Sequence, residues 1–185
     1  VLDFGSDGDG GIYYALECVE GVTLAEAAAG GQRFGDREVA RIGTRIADTL
    51  VMAERRGYGH YDLCPENVVL HRAEGGRVTP VLANFAADVP HAPAEQTHAR
   101  GEHYWPPEAP EVPLNAAHDA HALCALLLEV HAPAVGDADN PVQAARKQLQ
   151  RVLRRGTSSM PSSRYWKLEE LARDLVPLKQ VLPKS

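Results

Sequence analysis

The sequence predicts an α+β fold, mainly helical, and three observations carry that prediction. Two short runs rich in β-branched, aromatic and apolar residues, VLDFG and GIYYALECVEG, open the chain as strands. Val39, Ile42, Ile46, Leu50 and Ala53 recur at spacings of three and four, the stripe of a long amphipathic helix. ALCALLLEV, Ala122 to Val130, is apolar on nearly every side, which at this length marks a buried central helix.

Taken in order, SDGDG between the first two strands has the glycines and aspartates of a tight reversal. Thr23-Leu24-Ala25-Glu26 has capping-box spacing and predicts a short helix ending at Gly30-Gly31. The long helix stops at Gly57, and HYDLCPENVV (His60 to Val69) follows as a loop leading into a short strand, VVLH. A Gly75-Gly76 turn and a second strand, TPVLA, complete a hairpin. From Asn84 to Pro113 no periodicity is visible, as in functional or disordered segments. Beyond the central helix, Asn140-Pro141 reads as an N-cap followed by proline at the first helical position. Val142, Ala145, Leu149 and Val152 give that helix its apolar stripe, and a last helix carries Leu168, Leu171 and Leu175.

The 185 residues suffice for one sizeable core, and no repeat or linker divides them. A net charge of −6 argues against nucleic acid or an anionic membrane as the main partner. No apolar run approaches the ~20 residues that span a bilayer, and no signal-peptide pattern opens the chain. Cys18, Cys64 and Cys124 are odd in number and lack paired spacing, so free thiols in a reducing, cytoplasmic compartment are expected. The chain begins without methionine inside a strand-like run; a domain rarely starts mid-strand, so a preceding segment is expected.

Three groups of residues invite chemistry. GSDGDGG, Gly5 to Gly11, is followed by a strand instead of opening a helix, so it reads as a hairpin turn and not as a phosphate cradle. His118, Asp119 and His121 are near in sequence, yet a metal site needs three or four convergent ligands and the chain has 8 histidines to scatter. Asp62 and Asn67 lie on a loop between a long helix and a hairpin that returns to Asn84-Phe85-Ala86. Loops held by rigid elements on both sides are where catalytic groups tend to lie, but Asp and Asn also serve as turn and cap residues. From these residues alone both readings stand.

Further motifs decide between them. HYDLCPEN resembles the catalytic loop of Ser/Thr-type protein kinases, H-R-D-L-K-P-E-N, and Asn84-Phe85-Ala86 stands where that family has D-F-G. Gly101 to Glu108, GEHYWPPE, resembles the end of the activation segment, and Arg164 matches the arginine that pairs with its glutamate, here Glu108. Asp119 ahead of ALCALLLE looks like the start of the family's buried central helix. ALECVEGVTL resembles the last small-lobe strand and hinge, with Leu16 as gatekeeper and Glu17 to Val19 along the adenine. Six motifs in register imply a protein-kinase-like large lobe with remnant strands of the small lobe. The resemblance divides the chain into the end of the small lobe and hinge, 1–22, and the large lobe, 23–185. It puts the phosphate loop, the strand lysine and that lysine's glutamate partner upstream of Val1.

The same resemblance implies roles and losses. Asp62 would orient a substrate hydroxyl, Glu17 and Val19 would line ATP, and Asn67 and Asn84 would be the ligands of magnesium. Asn84 stands for a charged aspartate, so magnesium is held weakly. Cys64 replaces a phosphate-facing lysine, Tyr61 replaces the arginine that receives a phosphorylated segment, and Ala86 removes a flexible glycine. Between Asn84 and Glu108 only Thr97 and Tyr104 could accept a phosphate. Cationic and metal-holding groups are lost while His60, Phe85, Glu108, Asp119 and Arg164 remain. The expected function is a catalytically impaired, pseudokinase-like domain that binds or regulates a partner protein and can bind a nucleotide. The alternatives are an active Ser/Thr protein kinase, passing the ATP γ-phosphate to protein hydroxyls once its small lobe is present, and a truncated fragment.

Overall fold

Two small sheets and a helical body share the chain. The structure is a computed structural model and describes residues 2–6, 8, 11–72, 78–85, 102–109, 115–133 and 140–182. β1 (Asp3–Ser6) and β2 (Ile12–Ala15) pair antiparallel with Asp3 opposite Ala15 and Ser6 opposite Ile12, as the opening sequence predicts. The second expected strand is shorter than its apolar run. It ends at Ala15, and β3 (Val22–Thr23) joins a separate three-stranded sheet with β4 (Val68–Arg72) and β5 (Val78–Leu82), in the order β3-β4-β5. Gly21 makes that docking possible, because a Cβ there would lie 2.6 Å from the Leu70 carbonyl oxygen. The expected turns at SDGDG and Gly75-Gly76 lie partly or wholly outside the described residues.

Thr23 then caps α1 (Leu24–Ala29): its hydroxyl accepts from the Glu26 N–H at 3.1 Å while the Glu26 carboxylate accepts from the Thr23 N–H at 2.7 Å. The predicted capping box is present, and the helix ends at Gly30. α2 (Asp36–Glu54) buries Val39, Ile42, Ile46 and Leu50 to within 1 % of full burial, which is the stripe read from the sequence. Each such side chain contributes about 1.5–3 kcal/mol relative to exposure.

The central helix, α3 (Ala116–Val130), starts earlier than its apolar run because Asn115 caps it, accepting from the Ala117 N–H at 2.9 Å. It buries Leu123, Cys124, Leu126, Leu127 and Val130, as expected of a helix that is apolar all round. α4 (Asn140–Gly156) begins at Asn140 itself, one residue before the expected first position, and buries Ala145, Leu149, Val152 and Leu153. α5 (Leu168–Leu175) packs against α2, and α6 (Leu178–Val181) packs against α2 and α4. A buried ionic cluster ties three of these helices: Asp36 at the start of α2 meets His131 Nε2 at 2.8 Å and Arg146 Nε at 3.1 Å. Among the described residues no helix is long and apolar enough to cross a membrane.

Candidate functional site

The site is built by the residues between α2 and β4. Leu63 and Cys64 are buried and anchor the loop, and Pro65–Asn67 forms one 3-10 turn in which the Asn67 N–H donates to the Cys64 carbonyl at 3.0 Å. β4 and β5 then carry the chain out and back. At their open end the Ala83 N–H donates to the Asn67 carbonyl at 2.9 Å, which sets Asn84 beside Asn67.

Asp62, Asn67 and Asn84 are thereby joined in one network. Asn67 is buried, and its Nδ2 donates to the Asp62 carbonyl oxygen at 2.8 Å and to Asp62 Oδ2 at 3.2 Å. A carbonyl and a carboxylate oxygen only accept, so the Nδ2 end of Asn67 must face Asp62 and its Oδ1 must face away. That oxygen accepts from Asn84 Nδ2 at 2.9 Å. The orientation of one amide therefore fixes the other.

Two residues of this loop system hold left-handed backbone: Tyr61 at φ 58° and Asn84 at φ 56°. Asparagine tolerates that region, whereas a bulky tyrosine pays of order 1–3 kcal/mol for it. Asp119 of α3 supplies the restraint: its two carboxylate oxygens accept from the backbone N–H groups of His60 and Tyr61, both at 2.8 Å. The His60 ring donates from Nε2 to the Ala83 carbonyl at 2.9 Å and tilts against Phe85 at 4.6 Å between ring centroids. Burial holds His60 down to about 4, so the ring is neutral, and burial raises Asp119 to about 6. Sequence reasoning placed Asp119 at a helix start and missed this pinning role. The available signal was an acidic residue four positions after an N-cap, at the head of a helix otherwise apolar on every side.

The other singled-out residues fall as follows. The Cys64 side chain is buried, and burial pushes its thiol up to about 12, so it presents neither charge nor a thiolate. Tyr104 is also buried, and its hydroxyl donates to Glu129 Oε2 at 2.5 Å, which withdraws it as a phosphate acceptor. Ala86 and Thr97 lie outside the described residues. His118, Asp119 and His121 form no metal centre: among the described residues no group of three His, Cys, Asp or Glu could hold an ion. His118 Nδ1 accepts from the Asn115 N–H at 3.1 Å in the helix cap, and His121 Nδ1 bonds the Tyr104 carbonyl at 3.0 Å. Arg164 meets Glu108 in a two-pronged pair at 2.8 and 2.6 Å, the partners read from the sequence.

Glu17 and Cys18 are exposed and Val19 is half-buried. The backbone groups of Glu17 to Val19 enter no hydrogen bond among the described residues, which leaves an extended polar edge before β3. That edge is tied down behind by Glu20, whose carbonyl bonds His71 Nδ1 at 2.7 Å.

No protein-family profile matches the chain. Among curated proteins it is similar to a probable serine/threonine-protein kinase of Clostridium acetobutylicum, at 27% identity over 152 residues covering 81% of this chain and 23% of the relative. It is also similar to serine/threonine-protein kinase PknI of Mycobacterium tuberculosis, at 31% identity over 182 residues covering 89% of this chain and 28% of the relative. The chain thus spans about a quarter of the length of these curated relatives. Among solved structures, the crystal structure of the Mycobacterium tuberculosis PknI kinase domain superposes with a TM-score of 0.69 at 26% identity, covering 96% of this chain and 70% of that one. The ordered motifs, the pinned loop, the Arg164–Glu108 pair and this likeness converge, and the chain carries the fold of the bacterial-type Ser/Thr protein kinase superfamily, chiefly its large lobe.

Proposed function

We propose that the chain is a catalytically impaired kinase-like module, with a binding or regulatory role towards a partner protein. In this reading residues 1–22 are the end of the small lobe and the hinge, and 23–185 are the large lobe. The observation that carries it is the bond from Asn84 Nδ2 to Asn67 Oδ1 at 2.9 Å. A hard cation needs oxygen ligands with available lone pairs and prefers carboxylate. Here the one amide oxygen that would face it is turned onto an N–H donor, and the neighbouring amide brings no charge. As arranged, Asn67 and Asn84 offer a magnesium ion no carboxylate and one amide oxygen already shared with an N–H donor, a poor fit for a hard cation. Weak affinity for magnesium follows.

The same geometry supports nucleotide binding at the hinge. The unpaired backbone from Glu17 to Val19 offers donors and acceptors of the kind that read an adenine edge. Phosphoryl transfer relies on positioning and charge neutralisation. With Cys64 buried and uncharged and Asn84 neutral, two such charges are missing, and one removed electrostatic stabiliser costs ~10²–10³ in rate. Tyr61 further removes the cation that would receive a phosphorylated segment.

A second reading, an active Ser/Thr kinase working through Asp62, is favoured by one observation. Asn67 holds the Asp62 carboxylate at 3.2 Å, a shape that suits orienting a hydroxyl. Thermal denaturation of the full-length protein with ATP, with and without magnesium, separates the two. A magnesium-independent rise in Tm without phosphotransfer supports the impaired module. Absence of any shift removes the nucleotide from the proposal. Phosphotransfer to a protein hydroxyl, abolished by Asp62→Ala, overturns it.

A further inference from the structure

α4 is chemically unlike the rest of the molecule. Its 17 residues hold Arg146, Lys147, Arg151, Arg154 and Arg155 and no acidic residue, in a chain whose net charge is −6. Helical spacing sorts these charges. Ala145, Leu149, Val152 and Leu153 face the core, whereas Lys147, Arg151 and Arg154 recur at spacings of four and three on the opposite, solvent-exposed side. The segment after the helix turns back along this side, so that Ser158 and Ser163 join the basic side chains around a shallow groove of about 580 Å³.

The groove's cations differ in what they already do. Arg155 is occupied, with Glu170 at 3.3 Å, Asp174 at 3.6 Å and its guanidinium 4.0 Å above the Tyr165 ring. Arg151 donates to the neutral Gln148 amide at 2.7 Å, and among the described residues Lys147, Arg151 and Arg154 meet no carboxylate within ion-pair distance. Favourable interaction with the helix dipole accounts for basic residues in the last turn, such as Arg154 and Arg155. It does not account for Lys147 and Arg151, one to two turns earlier. The segment bordering the groove also exposes Met160 and Trp166, at 61% and 59% of their surface. Arginine, tryptophan and methionine are the residues enriched where proteins meet.

We propose that this groove is a docking site for an acidic segment of a partner protein. Lys147, Arg151 and Arg154 would pair with its carboxylates, and the Ser158 and Ser163 hydroxyls would donate to the same oxygens. Arginine forks match carboxylates in two-pronged geometry, and neighbours three and four apart on a helix stand ~5–6 Å apart, close to the ~6.6 Å between alternate side chains of an extended peptide. A protein segment fits better than a nucleic acid or an anionic membrane. The positive surface is one helix face, while the molecule as a whole carries the opposite sign and repels an extended polyanion. The groove lies apart from the Pro65–Asn67 turn: α4 packs on α2, α3, α5 and α6, whereas that turn packs on α1 and β3.

The test is fluorescence anisotropy of a labelled peptide of alternating Glu and Ser, against its Gln-for-Glu counterpart. The full chain is compared with Arg151→Gln/Arg154→Gln and with Arg45→Gln/Arg72→Gln, which removes equal charge from other exposed positions. Expected are binding of the acidic peptide alone, at least tenfold weakening by Arg151→Gln/Arg154→Gln, and little change for the control pair. Equal weakening by both pairs, or no binding, overturns the proposal. A single-stranded oligonucleotide or phosphatidylserine vesicles bound more tightly than the peptide, with loss in the same variant, overturn the choice of partner. Unchanged circular-dichroism melting of both variants keeps the comparison one of binding.

Discussion

At the scale of single residues, Asn84 is the position on which the proposed loss of phosphotransfer turns. It stands where the kinase motif that the sequence resembles has aspartate, and its amide occupies Asn67 Oδ1 with a hydrogen bond at 2.9 Å. Restoring the carboxylate, Asn84→Asp, would set two acceptors face to face, an arrangement satisfied only by a proton or a cation between them. The variant is therefore expected to gain a magnesium- or manganese-dependent rise in Tm that the parent chain lacks. At about 2–4 °C per kcal/mol for a domain of this size, even tenfold saturation of a new site is measurable. A variant whose melting ignores both ions would mean that more than the charge at this position has been lost. Tyr61 and Cys64 act in the same sense but differently. The first stores backbone strain under Asp119, and the second has withdrawn into the core, where burial keeps its thiol protonated.

At the scale of elements, the loop holds its shape because three rigid pieces grip it: α3 through Asp119, the β4-β5 hairpin through Ala83, and the core through Leu63 and Cys64. His60 is the joint between the first two. Its Nε2 already donates to Ala83 and its Nδ1 is buried without an acceptor, so adding a proton there is costly. The folded value of about 4 lies below the ordinary 6.5, so the neutral ring's contribution is fully present above pH 6.5 and is lost as pH falls towards 4. His60→Gln keeps an amide donor and removes the titration. Urea unfolding should show the parent chain losing on the order of 2–3 kcal/mol relative to this variant between about pH 7 and pH 4.5. Asp119 is shared by both proteins and cancels in the difference. Parallel pH profiles would show that the ring is solvated in the folded state.

At the scale of the whole molecule, Arg164 and Glu108 join the segment before α3 to the segment before α5, 56 residues apart in sequence. Arg164 is 3% exposed and Glu108 28%, so the arginine depends on its partner more than the reverse. Hydrogen bonds from Arg164 hold the Glu108 carboxyl below its usual range. Glu108→Gln would leave the guanidinium buried beside a neutral amide, at a cost of about 3 kcal/mol. A fall in Tm of about 6–12 °C is expected, measured by calorimetry. A fall under about 2 °C would indicate that water reaches the arginine and replaces the carboxylate.

Periodicity and capping are local, so the amphipathic stripe of α2, the Thr23-Glu26 box and the all-round apolar α3 were legible in the sequence by itself. The order of short motifs likewise determined the kinase-like fold. It also determined which three polar residues, Asp62, Asn67 and Asn84, were worth watching. Other features depend on residues far apart in the chain, and only the tertiary structure decided them. The strand after Ile12 ends at Ala15, and the chain next pairs at Val22, opposite Leu70 of β4, a partner that no local pattern encodes. Gly156 ends α4 where a Cβ would overlap Cys124, a close approach invisible from either segment. Asp119 serves the catalytic-like loop because α3 packs beneath it. The sequence determined that Asn84 is uncharged. Where its amide points was decided by a chain of acceptors and donors running from Asp62 through Asn67, since a hydrogen-bond direction is fixed only by what surrounds it.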